Sequence, residues 1–199
     1  MKGLLIVVSG PSGTGKGTVL AKWREIRKLQ YSISATTRNK REGEVDGREY
    51  YFKTRAEFEA MIKNGELLEW AETYGNYYGT PSSSIEATLA KGEDVLLEID
   101  TVGAAIIMEK MTDAVFIFLA PPSLAELEKR INTRGTEDKE SLAKRLNLAS
   151  AEIANARKYK YIVVNADVST AVNDLEAILR AEKKLVARNE EIIRTLEAE

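Results

Sequence analysis

The chain reads as an α/β fold: a parallel sheet covered by helices, with a small mixed sheet inserted into it. Three features of its 199 residues predict this. Short apolar runs recur at residues 4–8, 95–99, 114–119 and 161–164. Runs this short and this continuous are what strands buried on both faces look like, whereas a strand with one wet face alternates. Helical stretches lie between the runs, and strands alternating with helices assemble into parallel sheets. Residues 31–81 break the rhythm with short, polar-alternating, aromatic pieces, the pattern of an antiparallel or mixed sheet.

Each element has its local reason. The run Leu4-Leu-Ile-Val-Val8 ends at Ser9-Gly10, and a helix is expected over 18–29. Residues 31–35, 48–52, 67–73 and 75–79 are the expected pieces of the inserted sheet. Helices are expected over 84–90, 104–111, 123–133 and 139–158. The run at 95–99 follows Lys91-Gly92, that at 114–119 stops at Pro121-Pro122, and that at 161–164 stops at Asn165. In 169–199 the apolar Leu175, Ile178, Leu179, Leu185 and Ile192 predict one long amphipathic helix or a helix pair. The expected organisation is a single domain over 1–199. Its core is 1–30, 82–125 and 146–199, its inserted subdomain 31–81, and its helical lid about 126–145.

Composition excludes several chemistries. Lys plus Arg is 29 and Asp plus Glu is 31, a net charge of −2, which is not the balance of a strongly basic nucleic-acid binder. With no cysteine and no histidine, a disulfide framework, a thiol nucleophile, a Ser-His-Asp triad and zinc–histidine sites are all ruled out. Residues 4–8 are too short to span a membrane and lack a signal-peptide layout. A cytoplasmic protein without a membrane or nucleic-acid partner is expected.

The strongest motif is Gly10-Pro11-Ser12-Gly13-Thr14-Gly15-Lys16-Gly17-Thr18, which follows the first strand and opens a helix. The backbone N–H groups of such a loop and the positive end of the helix dipole cradle a phosphate chain, and Lys16 reaches the β- and γ-phosphates. The sheet is therefore expected to be of the P-loop NTPase type. A strict loop of this kind carries Ser or Thr directly after the lysine; here Gly17 stands there, and Thr18 is the candidate contact to phosphate or, through water, to Mg²⁺. A second cluster, Arg38 and Arg41, lies in a loop without helical character. Arginine pairs suit a bidentate grip on phosphate.

Taken together these segments resemble guanylate kinases of the bacterial type, from residue 3 to about 188. The matching pieces are Ser9-Gly-Pro-Ser-Gly-Thr-Gly-Lys16, Ser34-Ala-Thr-Thr-Arg38, Arg41-Glu-Gly-Glu44, Gly47-Arg-Glu-Tyr50, Glu69-Trp-Ala-Glu72, Gly75-Asn-Tyr-Tyr-Gly79-Thr80, Glu98-Ile-Asp100, Arg134-Gly135 with Arg145, and Val164-Asn165. The resemblance implies transfer of phosphate from ATP to GMP or dGMP with Mg²⁺, in a monomer or homodimer. It implies that Arg38, Arg41, Tyr50 and Tyr78 hold the GMP phosphate. Ser34 and Thr80 would contact guanine O6, and Glu69 would accept from guanine N1 and N2. Asp100 would lie near the acceptor and the metal's waters, Arg134 and Arg145 would reach the transferring phosphates, and Asn165 would approach adenine. The chain departs from the family pattern at Val102, Ser82, Ala166 and Lys160, none of them assigned to phosphate or guanine.

Two other readings compete: a peptide-binding scaffold module of the same fold, and a kinase for another acceptor. The intact Gly10, Gly13, Gly15 and Lys16 oppose the first; Ser34, Glu69 and Thr80 oppose the second. Phosphoryl transfer is mainly positioning and charge neutralisation, so it needs no histidine. No side chain here titrates between about pH 5 and 8 at its unperturbed pKa. A pH dependence in that range is expected from the substrate phosphate, the α-amino group, or a strongly shifted acid or lysine.

Overall fold

The computed structural model describes residues 2–73, 75–133 and 139–198. Five strands form one sheet, and four short strands form a second. The chain divides into two compact units.

One unit comprises residues 2–9 and 29–116. It contains β1 (Leu5–Ser9), β2 (Gln30–Tyr31), β3 (Ala35–Thr36), β4 (Tyr51–Phe52), α2 (Arg55–Lys63), β5 (Leu67–Thr73), β6 (Asn76–Pro81), α3 (Ser82–Ala90), β7 (Val95–Glu98) and α4 (Thr101–Lys110). β7 pairs in parallel with both β1 and β2. Leu5 to Val8 and Val95 to Leu97 are buried, as their unbroken apolar runs require. Ile85 and Leu89 of α3 and Ala104 and Ile107 of α4 are buried too, which gives each helix one apolar stripe.

The second sheet has the order β4-β3-β6-β5. β3 pairs antiparallel with β6 and parallel with β4, and β5 pairs antiparallel with β6, so the sheet is mixed as expected. The expected strand over 31–35 is instead divided. Tyr31 stays on β7, and the Ser32 N–H still donates to the Leu96 carbonyl, before the chain crosses to the second sheet at Ala35. α2 was not foreseen, although its capping box is readable in the sequence. The Thr54 hydroxyl accepts from the Glu57 N–H, and the Glu57 carboxylate accepts from the Thr54 N–H. Its Phe58, fully buried, stacks on Tyr77 of β6 with centroids 5.3 Å apart.

The other unit holds residues 10–28 and those from 117 onward. It contains α1 (Lys16–Ile26), most of β8 (Val115–Ala120), α5 (Leu124–Thr133), α6 (Lys139–Ala154), β9 (Tyr161–Val164), α7 (Val168–Glu182) and α8 (Glu190–Glu197). β8 and β9 pair in parallel, and the whole five-stranded order is β2-β7-β1-β8-β9. α1 and α7 share a core of Val19, Leu20, Trp23, Ala171, Val172, Leu175 and Leu179. Glu176 clamps this pair by accepting from the Trp23 indole at 3.2 Å and from the Arg27 guanidinium. The expected helix over 139–158 ends at Ala154 in a single 3₁₀ turn, Asn155–Lys158. Of the two C-terminal alternatives, one long helix or a helix pair, the structure has the pair, α7 and α8. Between them the Asn189 side chain donates to the carbonyls of Lys183 and Leu185, satisfying groups that a continuing helix would have paired. No described helix is long and apolar enough to cross a membrane.

Candidate active site

The phosphate loop leaves β1 at Gly10 and enters α1 at Lys16. At Gly10 a Cβ would lie 2.1 Å from the Leu119 carbonyl oxygen, so only glycine lets the loop pass this close to β8. Gly15 caps α1 with φ of 85°, and a Cβ there would meet the Asn165 amide nitrogen at 2.7 Å. The start of α1 has no side-chain cap and no acidic residue in its first turn, which leaves its N–H groups and positive dipole end available to an anion. The Lys16 ammonium folds back onto the loop, donating to the carbonyls of Gly10 at 2.6 Å and Pro11 at 3.2 Å. Inside the loop the Thr14 hydroxyl donates to the Pro11 carbonyl. Ser12, Gly17 and Thr18 are exposed, and a Cβ on Gly17 would meet nothing within 4 Å. Gly13 packs against Ile131 and Leu127 of α5.

Three side chains converge on this loop from the C-terminal half. Asn165 follows β9, is 4% exposed, and donates its amide to the Thr14 carbonyl at 2.7 Å. Arg130 of α5 reaches the carbonyls of Asn165 and Thr14 at 3.2 and 3.4 Å while holding Glu126. In the sequence it is only one charge in a block of mixed sign, and its contacts with the loop show only in the structure. Arg145 of α6 donates to the Ser12 hydroxyl at 2.9 Å. Arg134 lies outside the described residues.

The other unit assembles a second polar site. Arg38 follows β3 and forks onto Glu44 with contacts of 2.8 and 3.0 Å. The same carboxylate accepts from the Arg41 N–H at 2.8 Å. Arg38 holds the Glu44 carboxyl below the usual range. Its guanidinium also lies 5.5 Å from the Tyr50 ring centroid, and Tyr50 meets Tyr78 edge to face at 6.0 Å. Burial, and then the neighbouring Tyr78, push the Tyr50 phenol up. The Arg41 side chain is exposed, and the Ser34 carbonyl accepts from the Tyr51 N–H. Glu44 was not among the expected site residues; nothing in a loop of mixed charges marks it as the anchor for both arginines.

Glu69 is the most unusual group in this site. It sits on β5, only 4% exposed, and the fully buried Thr80 of β6 donates its hydroxyl to Glu69 Oε1 at 2.6 Å. No other hydrogen bond from a described residue reaches this carboxyl. Burial pushes it up to about 7; the Thr80 hydrogen bond and Lys110 oppose the shift, and the negative Asp100 adds to it. Asp100 caps α4, its Oδ1 accepting from the N–H groups of Val102 at 3.0 Å and Gly103 at 2.8 Å. The structure thus gathers Lys16, Ser12, Thr14, Asn165 and Arg145 at one place. It gathers Arg38, Arg41, Tyr50 and Tyr78 at another, and Glu69, Thr80 and Asp100 at a third within the same unit as the second. A buried carboxyl raised this far above its ordinary range is a feature that recurs at functional sites.

The family model for guanylate kinase matches residues 2–182. The guanylate kinase of Carboxydothermus hydrogenoformans is 55% identical over 186 residues, spanning 92% of this chain and 90% of that protein. The guanylate kinase of Lactococcus lactis is 52% identical over 188 residues, spanning 94% and 92%. The crystal structure of guanylate kinase from Anaplasma phagocytophilum superposes with a TM-score of 0.80 at 38% identity, covering 94% of this chain and 89% of that one. A glycine–lysine loop at a helix start, a pair of arginines around one carboxylate and a buried glutamate thus stand in a chain similar to these enzymes over more than nine-tenths of its length, and the chain belongs to the guanylate kinase family.

Proposed function

We propose that this enzyme transfers the γ-phosphoryl group of ATP to GMP, and to dGMP, giving ADP and the guanosine diphosphate. An oxygen of the GMP phosphate attacks the γ-phosphorus, and the bond to the β–γ bridging oxygen breaks, so ADP leaves. The attacking phosphate is already ionised near neutral pH, and no protein base is needed. In this reading Gly10 to Thr18 bind the ATP phosphates, with Asn165 toward the adenine side and Lys16, Arg134 and Arg145 spreading the charge of the transition state. Arg38, Arg41, Tyr50 and Tyr78 hold the GMP phosphate, and Ser34 meets guanine O6; the one hydroxyl proton of Thr80 goes to Glu69 Oε1, so Thr80 holds that carboxylate rather than O6. Residues 31–81 form the acceptor subdomain, and about 126–145 the lid that excludes water.

Mg²⁺ bound with ATP would supply charge neutralisation on the phosphates. Such a site needs no dedicated cage, since Mg²⁺ keeps most of its waters and takes a few protein groups besides the phosphates. That agrees with the residues present. Among the described residues no cluster of three or more acidic groups is placed to hold a metal. The exposed Thr18 hydroxyl, beside the phosphate loop, is fitted to hold its waters.

The observation that carries the choice of acceptor is Glu69. Its carboxylate can accept both the N1 and N2 hydrogens of guanine, whereas adenine presents an acceptor at N1 and would leave the buried charge unpaired. ADP release is to be measured across GMP, dGMP, AMP, CMP and UMP. GMP and dGMP should be phosphorylated with kcat/KM exceeding that of the other three by roughly 10³-fold or more. Comparable rates with AMP would overturn the reading.

A further inference from the structure

α4 begins against Glu69, and its third residue is a glycine. Gly103 is not needed for a turn: it is not among the glycines of positive φ, and it lies inside a regular helix. Helix propensity alone favours alanine there. A Cβ on Gly103, however, would lie 2.7 Å from Glu69 Oε2, 3.1 Å from its Cδ and 3.5 Å from Asp100 Oδ1. The two tight contacts are to the far end of a flexible side chain, not to backbone. The body of α4 is held to β5 independently, since the Lys110 ammonium donates to the Leu68 carbonyl at 2.6 Å. A methyl group at this position would therefore displace the carboxylate rather than the helix.

We propose that Gly103 is a positioning residue for acceptor selectivity, resting on the reading that Glu69 accepts from guanine. Thr80 fixes Oε1 by a hydrogen bond, and the bare Cα of Gly103 leaves the space that Oε2 occupies. Together they set the plane of the carboxylate, and two parallel N–H···O contacts to a base require that plane. With a methyl at 103 the carboxylate turns about the Oε1 that Thr80 holds, and the contact of Oε2 with the 2-amino group of guanine is lost. The residue touches no substrate; it acts through Glu69.

The test is Gly103→Ala assayed with GMP and with IMP, which keeps N1–H but lacks the 2-amino group. The GMP-over-IMP ratio of kcat/KM should fall at least tenfold, while KM for ATP stays within twofold and the melting temperature does not drop. Val102→Ala, at an exposed neighbouring position on the same helix, should leave the ratio unchanged. In a Glu69→Gln background Gly103→Ala should cost almost nothing further, because the group it positions has already lost its function. Equal costs in both backgrounds would make the effect generally structural and overturn the proposal. So would an unchanged ratio in Gly103→Ala where Glu69→Gln collapses it, and so would a sharp loss of stability, which would show that the backbone yields. An unchanged ratio in Glu69→Gln itself would instead overturn the role of Glu69, and this proposal with it.

Discussion

Lys16→Ala is expected to lower kcat for GMP phosphorylation by roughly 10²–10³-fold or more, with the circular dichroism spectrum unchanged. The Lys16 ammonium is the one cation that the phosphate loop itself carries, and its contacts include the loop carbonyls of Gly10 and Pro11. Those carbonyls can take water in its place, so the cost to the fold is small. An ATP γ-phosphate in transfer has no such substitute, because its negative charge must be met where it develops. The Gly10 close approach and the Gly15 cap do not depend on the lysine, so the cradle should still bind ATP, more weakly. Steady-state kinetics with both nucleotides check this. Turnover near that of the unmodified enzyme would show that the loop does not hold the transferred phosphate.

Glu69→Gln should have the second largest effect, and in opposite directions for catalysis and stability. For catalysis, replacing one acceptor oxygen with an amide donor opposes a guanine N–H and strands it. Charge-assisted hydrogen bonds contribute about 1.5–3 kcal/mol, so kcat/KM for GMP should fall roughly 10²-fold, with KM for ATP little changed. For stability, the folded protein raises this carboxyl from 4.5 to about 7. A raised acid makes the folded state bind the extra proton between those values. The penalty for burying the charge is thus absent below about pH 4.5, grows as pH rises, and is complete above about 7, where it is on the order of 3 kcal/mol. Glutamine has no charge to bury and keeps a carbonyl for the Thr80 hydroxyl. Without nucleotide the variant should be more stable than the parent at pH 8 by up to about that amount, and similar to it near pH 4.5, in urea unfolding followed at both pH values. A variant that is less stable at pH 8 would mean that Glu69 is a structural carboxylate.

Much of this was legible in the residues. β1, β7 and β8 fall within a residue or so of the apolar runs, because burial on both faces leaves no room for a polar interruption; β9 also coincides with its run, but it is not covered on both faces, since Ile162 and Val164 are exposed. The phosphate loop was legible because its chemistry is local: glycines, a lysine and a helix start within nine residues. The pieces at 31–35 and 48–52 were less so. Their strands are two residues long, too short for a period of two to register. The near-neutral carboxyl could not be read at all. The sequence supplies a glutamate with an ordinary pKa below 5, and only the packing of β5, β6 and α4 brings Thr80, Asp100 and Gly103 around it. Glu44 and Arg130 were hidden for a related reason: each is one charge in a mixed block, and its partner is fixed by a loop or by a strand end far along the chain.

Glu69, a buried carboxyl raised to about 7, is proposed to read the guanine base. GMP affinity from pH 5.5 to 8.5, measured by calorimetry for the parent enzyme and for Glu69→Gln, tests it most directly. The GMP phosphate has its own pKa near ~6 and weakens binding in both proteins as pH falls. The ratio of the two affinities removes that contribution and reports Glu69 alone. The ratio should be large and flat above about pH 7.5, fall toward tenfold per pH unit below about 7, and approach one near pH 5.5, where the parent carboxyl is protonated in the free enzyme. A ratio that stays constant across the whole range would contradict the account.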